Sequence, residues 1–127
     1  MPTILQSFLA ISLTLLAASP ALSATCGPPP FGWGTTRPDA TIIKNTVNIP
    51  ARSGPATAVQ ANPTWNGSPV TPQQIREYVE LTKSIPPVPT LLLEVSPAAD
   101  CAEINMFRQM VNEILDCELG QCVEVSL

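Results

Sequence analysis

The sequence predicts an α+β fold: a small single domain in which two amphipathic helices pack on a short β-sheet and two disulfides hold the chain. Three features carry this expectation. The segments 72–83 and 96–120 place apolar residues at helical intervals. The segments 41–49, 91–95 and 122–127 alternate or are continuously apolar, as short strands are. All four cysteines follow an apolar leader, which points to an oxidising compartment. The alternative is a mainly helical fold with an extended proline-rich arm, in which 91–95 is only a link.

The leader comes first. Phe8 to Ala18 is predominantly apolar and is closed by Pro20 and the small-residue segment Ala21-Leu22-Ser23-Ala24. This is the layout of a secretory signal peptide over residues 1–24, cleaved after Ser23 or Ala24, although no Lys or Arg precedes the apolar run. The run is shorter than the ~20 residues of a spanning helix. The remainder is expected to be secreted and extracellular, with no membrane attachment after cleavage.

Cys26, Cys101, Cys117 and Cys122 are an even set in a small exported chain, so two disulfides are expected rather than thiols or metal ligands. Helix geometry ranks the three pairings. In one unbroken helix Cys101 and Cys117 lie roughly 24 Å apart, beyond the ~7 Å between Cα atoms that a disulfide spans. Cys101 with Cys122 requires five residues to retrace most of the helix. Cys26–Cys101 with Cys117–Cys122 is the favoured set.

Residues 25–40 form a proline- and glycine-rich arm ahead of the α+β domain at 41–127. Three consecutive prolines, Pro28 to Pro30, favour polyproline II, and Phe31 and Trp33 sit between glycines. These two aromatics either close over the core or stay exposed for contact. Thr41 to Ile49 alternates, with Ile43, Val47 and Ile49 on one side. Ser53-Gly54-Pro55 is a turn signal, and 56–61 reads as a weak returning strand. Asn62 to Pro69 reads as a surface loop containing Trp65 and the acceptor sequon Asn66-Gly67-Ser68.

Thr71-Pro72-Gln73-Gln74 starts the first helix, with Thr71 as cap and Pro72 in the first turn. Its apolar face is Ile75, Tyr78, Val79 and Thr82, and the prolines from Pro86 onward end it near Lys83. Leu91 to Val95 is a buried strand. The second helix carries Cys101, Ile104, Phe107, Val111, Ile114 and Leu115 on one stripe. Met106 and Met110 flank the stripe as core filler, and Gly120 is the expected stop. Residues 122–127 form the last strand.

The chemistry is defined mostly by what the chain lacks. It contains no histidine, which removes the usual general base and the commonest zinc ligand. Ten carboxylates oppose six basic side chains. Nine of the ten, from Glu77 onward, face only Arg76, Lys83 and Arg108, so nucleic acid is not an expected partner. Glu77/Glu80, Asp100/Glu103 and Glu113/Asp116 share helix faces, but a glycosidase-type pair needs an aromatic-lined cleft that so small a domain hardly forms. No cofactor or metal is expected.

By elimination the expected function is non-catalytic: a small secreted protein, effector-like and suited to virulence, that binds an unknown extracellular or host protein. Phe31, Trp33 and Trp65 form the expected binding surface, and Asn66 the expected glycosylation site. Alternatives are a secreted protease inhibitor using the stretch from Ile85 to Thr90, and a small carboxylate-dependent hydrolase in which Glu94 or Glu103 acts.

Overall fold

Leu91, Leu92 and Leu93 are all buried, the pattern of a strand covered on both faces. They belong to a computed structural model that describes residues 26–52 and 61–127. In chain order the elements are β1 (Lys44–Ile49), β2 (Thr64–Trp65), β3 (Ser68–Pro69), α1 (Pro72–Thr82), β4 (Thr90–Val95), α2 (Cys101–Ile114) and β5 (Cys122–Ser126). A single 3-10 turn, Cys117–Leu119, lies between α2 and β5. The predicted leader, the turn at 53–55 and nearly all of the weak strand at 56–61 lie outside the described residues.

The five strands form one mixed sheet in the order β3-β2-β1-β4-β5. β4 pairs in parallel with β1 on one side and β5 on the other. The chain therefore makes two successive strand–helix–strand crossovers, and β2 and β3 are an antiparallel ribbon inserted into the first. Register places Val47 beside Leu93 and Leu93 beside Glu124, so these three share a face. Ile75 and Val79 from α1, and Ile104, Phe107 and Val111 from α2, join Val47, Ile49, Leu91, Leu93 and Val95 in one core. Both helices thus cover the same side of the sheet. Each of these buried side chains contributes about 1.5–3 kcal/mol relative to exposure.

α1 begins as its sequence requires. The Gln74 amide donates to Thr71 Oγ1 at 3.2 Å, and the Thr71 amide donates to Gln74 Oε1 at 2.9 Å, a complete capping box. Ile75 and Val79 are its buried stripe.

Four expectations are corrected. The loop at 62–69 contains a hairpin, because Asn66 and Gly67 both take positive φ, 48° and 89°, the combination a tight two-residue turn demands. The second helix stops at Ile114, short of Gly120. Leu115 turns extended (φ −103°, ψ 156°) and keeps its side chain in the core. The Cys117–Cys122 disulfide then brings two Cα atoms to 4.9 Å, whereas five helical residues advance about 7.5 Å. Ile43 precedes the paired part of β1 and is exposed, and Met106 is exposed while Met110 is buried.

Candidate binding surface

The proline-rich arm is fastened along its length. Cys26 is joined to Cys101 at the first turn of α2, with Cα atoms 5.2 Å apart. Arg108 donates from Nη1 to the Cys26 carbonyl and from Nη2 to the Gly27 carbonyl, both at 3.0 Å. Its Nε and Nη2 also fork onto Glu124 of β5 at 2.8 and 2.7 Å, and Nη1 reaches Asn105 Oδ1 at 3.3 Å. All five N–H donors are therefore engaged. That full set is what lets a guanidinium sit in a buried position beside a carboxylate.

Pro30-Phe31-Gly32-Trp33 closes as a β-turn, the Trp33 amide donating to the Pro30 carbonyl at 3.2 Å. Gly32 has φ +87°, as the third position of a type II turn needs. It lies so close to the Cys117–Leu119 turn that a Cβ there would come within 2.5 Å of the Glu118 Cα. Trp33 is 8% exposed and part of the core, and its Nε1–H donates to Asn112 Oδ1 on α2 at 3.2 Å. Gly34 then bridges β5 in parallel: its amide donates to the Cys122 carbonyl and its carbonyl accepts from the Glu124 amide, both at 2.9 Å. Farther along, Arg37 donates to Glu94 on β4 at 2.7 Å.

The three aromatics expected on the surface are thereby separated. Phe31 stands at the tip of the turn and is 86% exposed. Trp33 is a lid over the core, which corrects its assignment as a contact residue. The reason is the Asn112 acceptor, which satisfies the indole N–H under cover. Trp65 is half-buried on the same helix-covered face but toward the opposite edge of the sheet, in β2, its ring 5.3 Å from that of Tyr78 on α1. No surface joins it to Phe31 through Trp33. Both expected disulfides, Cys26–Cys101 and Cys117–Cys122, are present.

No protein-family model matches the chain, nor does any curated protein or solved structure.

Beneath the arm, a groove of about 460 Å³ opens at the carboxyl ends of β4 and β5, between Pro28, Pro29, Thr35, Ile104, Val125 and Ser126. Its deep charged groups are Arg108 and Glu124, already committed to each other. Glu94 and Glu103, the carboxylates considered for catalysis, are likewise engaged: Glu94 by Arg37, and Glu103 by Arg52 at 2.8 and 3.0 Å. That partnership with Glu103 raises the pKa of Arg52 above its ordinary value. Arg52 also donates to the Ala61 carbonyl. Among the described residues, no three of Cys, Asp and Glu gather in a metal-binding group, and no helix is long and apolar enough to cross a membrane.

The feature that composition could not reveal is Arg108. Its position on the apolar stripe of α2 beside Phe107 was the available signal, since an arginine there must find a buried acceptor.

Proposed function

We propose that this chain is a small secreted, disulfide-stabilised, non-catalytic protein that acts by binding an extracellular or host protein through the Phe31 turn. One observation supports this above the others. Phe31 is 86% exposed, although residues on both sides of it are pinned by a disulfide, a buried arginine and a core tryptophan. A large aromatic held rigidly in water loses little conformational entropy when a partner covers it, and such side chains dominate binding energy at interfaces. An effector-like role and an N-glycan on Asn66, exposed at the tip of the β2–β3 hairpin, belong to the same proposal.

The protease-inhibitor reading draws less support. An inhibitory loop is extended, but residues 83–87 run through successive turns and bends. The hydrolase reading is weakened by the ion pairs that occupy Glu94 and Glu103.

The test is capture from extracellular fluid on immobilised protein, comparing wild type with Phe31→Ala, with intact mass recorded for each. Capture lost at unchanged melting temperature is the expected result. Equal capture by the two proteins rejects Phe31 as the contact. The same mass measurement reports leader cleavage and any glycan.

A further inference from the structure

We propose that a second copy of this chain docks on the end of the domain where the three parallel strands begin, because that end is apolar and its charges are self-complementary across β1, β4 and β5.

The placement follows from the backbone. The Thr90 amide donates to the Ile43 carbonyl, and the Leu91 amide to the Gln121 carbonyl, so residues 43, 90 and 121 mark one common end of the sheet. A helix connecting two parallel strands runs opposite to them, so the C-terminal ends of α1 and α2 come to this same end. Eight large hydrophobic residues stay exposed among the described residues; leaving aside Phe31, the proposed contact for another partner, five of them, Ile42, Ile43, Leu81, Ile85 and Leu119, lie here. Monomeric proteins rarely gather exposed apolar side chains in this way unless something covers them.

The charges say what that something is. Lys44 starts β1, and Lys83 caps α1, whose Tyr78 packs on Trp65 of the neighbouring β2, so both lie on the β1 side. Asp116 precedes the Cys117–Leu119 turn and Glu118 lies within it, on the β5 side. Adjacent strands are about 4.8 Å apart, so β4 holds the basic and acidic sides roughly 10 Å from each other. None of the four is in an ion pair among the described residues, whereas all four arginines are. Asp39, near Lys44, commits its carboxylate to Thr41 at 2.9 and 3.0 Å.

A two-fold axis places the same patch on both subunits and lets each position meet a different one of its partner. About such an axis through β4, the lysines of each copy face the carboxylates of the other while the isoleucines and Leu119 meet between them. A wholly basic or wholly acidic partner would instead meet repulsion on one side.

The experiment is sedimentation equilibrium from micromolar to millimolar protein at physiological salt. Wild type is expected to reach a dimer. Lys44→Glu with Lys83→Glu, and separately Asp116→Lys with Glu118→Lys, should each weaken self-association about tenfold or more. An equimolar mixture of the two double variants should associate again, as a heterodimer of opposite charge. Circular dichroism of each variant establishes that it is folded, and all four positions are outside the core. A wild type that stays monomeric to millimolar concentration overturns the proposal. So does a dimer indifferent to both double variants, or variants whose mixture fails to associate. Phe31 is untouched in every variant, so partner capture through Phe31 stands or falls by its own test.

Discussion

Arg108 on α2 and Glu124 on β5 form a forked pair at 2.8 and 2.7 Å, with side chains 8% and 9% exposed. The same guanidinium holds the carbonyls of Cys26 and Gly27, so one side chain ties helix, edge strand and arm together. Truncating one partner leaves a buried charge unpaired. Arg108→Met is expected to cost about 3–5 kcal/mol in denaturant unfolding, and Arg108→Met with Glu124→Leu to recover much of that loss. If the double variant is no more stable than the single one, the carbonyl bonds rather than the ion pair carry the effect.

Phe31 and Trp33, two residues apart, should respond oppositely to alanine. Trp33→Ala removes a core side chain and leaves Asn112 without its donor, so a loss of about 3–5 kcal/mol is expected. Phe31→Ala removes an exposed ring and should stay within about 0.5 kcal/mol of wild type. Thermal melts of the two variants side by side check this.

The two disulfides differ in what they close. Cys26 and Cys101 are 75 residues apart, so replacing both by Ala should cost about 4 kcal/mol on chain-entropy grounds. Cys117 and Cys122 are 5 apart, and their loss should cost about 2 kcal/mol by the same reasoning. The second pair is also the more deeply buried. Mild reductant followed by alkylation and mass mapping should therefore label Cys26 and Cys101 first.

Asn66 holds β1 against the hairpin: its Oδ1 accepts from the Thr46 amide at 2.7 Å, and its Nδ2 donates to Asn45 Oδ1 at 3.0 Å. It does so at φ 48°, where Asn is tolerated and a β-carbon without local hydrogen bonds costs about 1–2 kcal/mol. Asn66→Asp keeps the Thr46 acceptor and should be the mildest change. Asn66→Gly keeps the turn but loses both bonds, and Asn66→Ala should be the worst, at about 2 kcal/mol. Urea midpoints that fail to follow this order would disprove the account of the turn.

Asp39 accepts the backbone amide and then the hydroxyl of Thr41, and these bonds hold its carboxyl below the ordinary 3.8. A carboxylate with a lowered folded-state pKa stabilises the fold above its unfolded value, and that stabilisation disappears as pH falls through the folded value. The carboxyl resonance of Asp39 should titrate below 3.8 in the folded protein, and Thr41→Val should move it upward. Asp39→Asn should remove the corresponding part of the stability change in that acidic window.

Much of the architecture was legible from local rules. Thr71-Pro72-x-Gln74 can satisfy its own amides without help from the rest of the chain, so α1 starts where those residues say. The stripe on α2 and the leucines of β4 are legible for the same reason, since periodicity reflects which faces meet water. The disulfide pairing also followed from sequence, because a helix is long enough to keep Cys101 and Cys117 apart. The end of α2 was not legible: Leu115 leaves the helix to fill the core, and the Cys117–Cys122 bridge then reverses the chain, a choice made by space and not by propensity. Nor was the fate of the aromatics. Phe31 and Trp33 have similar neighbours in sequence, and only the Asn112 acceptor, 79 residues away, decides which ring is buried and which is left in water.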